Sequence, residues 1–150
     1  MTKKTKKIIC LQGSPNTGKS YTIITLWKLI LEKYKNDKDD DYVQFYADTD
    51  NYDFVGIITS VNGHKIGINS RGDDPRWIER WNKKLADNNC DIIFCACHSY
   101  GKTEEAVIDF AKNGYEVEFI KKDTEESDSE KKQKTMNKTQ AKELLETAGL

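Results

Sequence analysis

The sequence has no excess of either charge. Its 24 Lys and Arg stand against 25 Asp and Glu, a net of -1. That balance argues against a chain whose main task is coating nucleic acid, which calls for a basic excess; a local basic patch stays open. Long apolar runs are also missing. The longest, Ile92 to Cys97, is six residues, far short of the ~20 needed to span a bilayer. The basic start is followed by only four apolar residues, Ile8 to Leu11, too few for the core of a secretory signal. The expectation is a soluble cytoplasmic protein without a membrane partner. The cysteines Cys10, Cys90, Cys95 and Cys97 lack paired C-x-x-C spacing. A zinc set around Cys95, Cys97 and His98 therefore has no support, and reduced core thiols are the expectation. Arginine is scarce, at three residues, and Arg71, Arg76 and Arg80 all fall within one ten-residue window.

What is present suits one domain. The chain has 150 residues, within the ~100–150 common for single domains, and its aromatics and apolar clusters can fill a core. The hydrophobic pattern predicts strands over 8–12, 42–47, 54–60, 64–69, 91–97 and 115–120. It predicts helices over 19–35, 75–87 and 103–112. Asn62-Gly63 between two strands suits a type I′ hairpin turn. Asp74 then Pro75 suits a helix start. Strands alternating with helices imply an α/β fold with a mostly parallel sheet and one β-hairpin. From 121 to 138 Met136 is the lone clearly apolar residue. The expected division is a folded unit over 1–120 and a charged linker over 121–150 ending in a short helix near 139–148.

The loop after the first strand carries the chemistry. Gly13-Ser14-Pro15-Asn16-Thr17-Gly18-Lys19-Ser20 fits G-x-x-x-x-G-K-[ST] in full, with an apolar strand before it and the amphipathic helix over 19–35 after it; Tyr21 joins these residues as a nucleotide-binding candidate. Small residues let backbone N–H groups surround a phosphate, and the helix adds its positive end. Lys19 suits the β- and γ-phosphates, and the Ser20 hydroxyl suits Mg²⁺. On these residues the chain resembles the P-loop NTPases, the Walker A superfamily. The resemblance implies a three-layer α/β/α fold and a nucleoside triphosphate, ATP or another NTP, bound with Mg²⁺. It leaves the branch open.

Such a site needs an acidic partner. Asp48 and Asp50, after the second strand, are similar to the D-x-D element of shikimate-kinase-like enzymes, although no G-G-G follows. They would hold the metal and orient an acceptor. Asp73 follows a hairpin, similar to the layout of small GTPases, but Asn69 stands where the D-x-x-G aspartate belongs, so Asp73 would have to substitute as the metal-side carboxylate. No N-K-x-D supports guanine specificity. Arg71 is a candidate for contact with phosphate or an acidic substrate, because guanidinium binds planar anions in a bidentate way. Ala96 to Thr103 is a near-match to the first loop with Ala in place of Gly. His98, Ser99, Gly101, Lys102 and Thr103 form a candidate second anion site there. The leading expectation is a small ATP-dependent kinase or phosphotransferase acting on an unidentified acceptor. The alternatives are a nucleotide switch or regulatory NTPase working through a protein partner, and a binding module without turnover.

Overall fold

The computed structural model describes residues 6–14, 18–34, 42–48, 53–61, 63–99, 101–122 and 130–150. The strands are β1 (Lys7–Gln12), β2 (Tyr42–Asp48), β3 (Asp53–Val61), β4 (His64–Asn69), β5 (Ile92–Cys97) and β6 (Glu116–Lys121). The helices are α1 (Lys19–Lys33), α2 (Pro75–Asp87), α3 (Lys102–Ala111) and α4 (Glu130–Thr147). The protein is α/β, with a six-stranded, mostly parallel sheet ordered β2-β3-β4-β5-β1-β6. β4, β5, β1 and β6 pair in parallel, while β3 runs against both its neighbours. Among the described strands only β3 is reversed, so the carboxyl ends of the other five share one edge. Val61 lies opposite His64, with Gly63 at φ +81° between them; Asn62 lies outside the described residues.

Strand alternation sends neighbouring side chains to opposite faces. In β1, Ile9 and Leu11 join Ile23, Leu26 and Ile30 of α1 in one apolar cluster. Ile8 and Cys10 join Ile78 and Leu85 of α2 and Val107 and Phe110 of α3 in another. β5 is buried along its whole length, as a central strand covered on both sides should be. α2 starts as expected: the Asp74 side chain accepts from the Arg76 backbone N–H, and Pro75 takes the first helical turn. All four cysteines are free and buried.

The C-terminal segment departs from expectation. The helix begins at Glu130 rather than near 139 and packs along α1. Ala141, Leu144, Leu145 and Leu150 belong to the same apolar cluster as β1 and α1. Its core-facing stripe also carries buried Asn137 and Gln140, and these polar residues hide the helical period. Burying Leu144 and Leu145 contributes roughly 1.5–3 kcal/mol each. The segment expected to stand apart as a linker and short helix thus shares the core of the first 120 residues. No helix among the described residues is long and apolar enough to cross a membrane.

Candidate functional site

The motif loop leaves β1 at the shared carboxyl edge and enters α1. Gly13 donates its N–H to the Cys97 carbonyl at 3.1 Å, which ties the loop to the end of β5. Gly18 is the N-cap of α1 at φ +87°, a left-handed conformation that suits glycine. Pro15, Asn16 and Thr17 lie outside the described residues. Ser14 is exposed and Tyr21 half-buried.

Lys19 is 5% exposed. Its Nζ donates to the carbonyls of Gly13 at 2.8 Å and Ser14 at 3.0 Å. Burial pulls its pKa below the ordinary lysine value, and the charge of Asp73 leads the opposing pull. Among the described residues, the ammonium is thus held at the loop by these two backbone carbonyls. The Ser20 hydroxyl donates to the Ser70 carbonyl at 3.2 Å, which brings the start of α1 against the end of β4.

The turn after β4 sorts the remaining candidates. Ser70 Oγ accepts from the Phe54 N–H at 2.7 Å. A Cβ on Gly72 would stand 2.2 Å from the Ala96 carbonyl oxygen. The turn thus presses on β5 as only glycine allows, and Asp73 emerges beside His98. Asp73 Oδ1 and His98 Nε2 are 2.9 Å apart. Asn69, in the place of the D-x-x-G aspartate, is fully buried and structural. Its Oδ1 accepts from the Arg71 N–H and its Nδ2 donates to Asn82 Oδ1.

Arg71 points the other way. Its guanidinium carbon lies 4.2 Å from the Tyr46 ring centre and 3.9 Å from that of Trp77. Its Nε is 3.7 Å from Asp53 Oδ2. Asp53 escaped the sequence reading. It opens β3 opposite Asp48, and only its acidic neighbourhood could have drawn attention to it. Burial raises its pKa; Arg71 lowers it, while Asp48 and Asp73 raise it further.

Asp48 ends the edge strand, with β3, β4 and β5 between it and β1. Four strand spacings of roughly 4.8 Å make about 19 Å. The strands flanking β1 are β5 and β6, so the expectation that β2 ends beside the loop does not hold. Asp73 is the carboxylate felt most strongly at Lys19. Asp50 lies outside the described residues.

The near-match after β5 is described on both sides of Tyr100. Thr103 Oγ1 accepts from the His98 N–H at 2.9 Å, and Gly101 sits at φ +86°. Ser99 and Lys102 are exposed. The first turn of α3 carries Glu104 and Glu105, and Gln12 Nε2 donates to Glu104 at 2.6 Å. Carboxylates already occupy the positive helix end that a second anion would need. No protein-family model matches the chain, and comparison with curated proteins and with solved structures finds no match.

Proposed function

We propose that the chain is a P-loop protein that binds a nucleoside triphosphate, expected to be ATP, with Mg²⁺ and transfers its terminal phosphoryl group to water. One observation carries this reading: a buried lysine at the start of α1 whose ammonium is held by the loop's own carbonyls, with a carboxylate–imidazole pair beside it. The apolar clusters on opposite sheet faces and the antiparallel β3–β4 pair fit the three-layer arrangement with a hairpin that the resemblance implies.

In this reading Lys19 exchanges the Gly13 and Ser14 carbonyls for phosphate oxygens, and the loop N–H groups and the positive end of α1 add to the cradle. The Ser20 hydroxyl and the Asp73 carboxylate are the donors that would hold Mg²⁺. Oxygen donors suit that ion, which keeps waters and substrate oxygens around few protein ligands. Mg²⁺ held there would supply neutralisation of the charge developing on the phosphate oxygens. Asp73 orients the His98 ring, and His98 positions the attacking water.

The aromatic clamp on Arg71 favours a second reading, a kinase or phosphotransferase. A guanidinium held between Tyr46 and Trp77 is poised for an anionic acceptor once it releases Asp53. Phosphate release from Mg²⁺-ATP without any acceptor separates the two. Hydrolysis predicts turnover with water alone; a kinase requires an added hydroxyl or phosphate acceptor. If no triphosphate stabilises the chain with Mg²⁺, both readings fail.

A further inference from the structure

The C-terminal helix brings a polar residue to the motif loop where packing alone calls for an apolar one. Asn137 is 6% exposed. Its Nδ2 lies 3.0 Å from the point where a Cβ on Gly18 would stand. Its Oδ1 is buried with no hydrogen-bond partner among the described residues. A buried amide oxygen without a donor is a standing penalty, and native structures keep few of them.

The placement says which ligand atoms would relieve it. β1 lies between β5 and β6. His98 directly follows β5 and contacts Asp73, on the side of β1 away from β6. α4 is tied to the end of β6 by Gln140 Nε2, which donates to the Lys121 carbonyl at 2.7 Å. A triphosphate with its terminal group at Lys19 and Asp73 therefore directs its nucleoside toward β6 and α4. Oδ1 is an acceptor, so it cannot face phosphate oxygens and must meet a donor. A carboxamide sets an acceptor beside a donor, which complements an amino group beside a ring nitrogen on adenine.

We propose that Asn137 is a specificity-determining residue whose Oδ1 accepts from the exocyclic amino group of an adenine nucleotide. The proposal rests on the P-loop reading above. Calorimetric titration of the full chain with Mg²⁺ tests it, using ATP, dATP and purine riboside triphosphate, which lacks the amino group. Wild type should bind ATP and dATP alike and the amino-free analogue about tenfold more weakly. Asn137→Leu should close that gap, so that ATP and the analogue bind alike. Equal binding of ATP and the analogue by wild type overturns the proposal, and this comparison needs no variant. A gap that persists in Asn137→Leu also overturns it, as does a loss seen with dATP instead, which would assign Oδ1 to the ribose. In those cases triphosphate binding itself survives. Absence of binding by all three nucleotides removes the P-loop reading together with the proposal.

Discussion

The two flanks of the carboxyl edge carry the same residue types in opposite roles. On the β5 flank, Lys19, Asp73 and His98 converge, with a nearly buried cation held by backbone carbonyls. On the β2 flank, Arg71 is already satisfied by Asp53 and two aromatic rings. In the proposed reading the first cation would exchange its carbonyls for an anion, whereas the second already has a carboxylate and two rings as partners. Proximity in sequence to a plausible metal motif says little about this difference. Strand order decides it, by placing β5 next to β1 and β2 at the far edge.

The largest expected effect is on the helix that closes the face behind the loop. Removing residues 123–150 would expose the α1 side of the core, and loss of a cooperative thermal transition is expected. Retention of a sharp transition would show that α4 is dispensable. Gly72→Ala comes next. Its Cβ would collide with the Ala96 backbone, at a cost of at least about 2 kcal/mol, and should drive Asp73 away from His98. Denaturant melts and phosphate release should fall together; an unchanged melt would contradict the close approach.

The carboxylates sharpen the contrast. Asp73→Asn should lower Mg²⁺-ATP turnover by roughly 10²-fold through lost metal and imidazole orientation, whereas Asp48→Asn should stay within a few-fold. The reverse order would return the acidic role to β2.

The smallest effect is a pH signature. The folded-state pKa of Asp53 is raised, so the native state binds the extra proton. Stability gained from this group appears as pH falls from the raised folded value toward the ordinary carboxylate range. Lys19 has a lowered folded pKa. Its penalty fades as pH climbs from that value toward the ordinary lysine range. Asp53→Asn should flatten the acidic part of a stability–pH curve and Lys19→Met the basic part. Curves that overlay wild type would contradict the corresponding shift.

Much of this architecture is legible in the sequence. The apolar runs at β1 and β5 and the Asp74-Pro75 helix start are local signals, and the structure places an element at each; the loop motif is equally local, and it falls between β1 and α1. The lateral order of strands is not local, and it moves Asp48 away from the loop. Asp53 carries no motif; its environment arises only when β3 pairs with β2 and the β4 turn folds back. The length of α4 was hidden because Asn137 and Gln140 occupy buried helical positions that a hydrophobic pattern reads as solvent-facing. Lys, Glu and Gln still favour helix there on propensity alone.

The most direct measurement is the thermal shift of wild type and Lys19→Ala with ATP, each with and without Mg²⁺. Ligand at a hundred times its Kd should stabilise wild type by about 2.7 kcal/mol, with the effect dependent on Mg²⁺. Lys19→Ala should keep the apo transition and lose the ligand shift. Equal shifts in the two proteins, or none in wild type, would contradict the assignment of the Gly13–Ser20 loop as a triphosphate site.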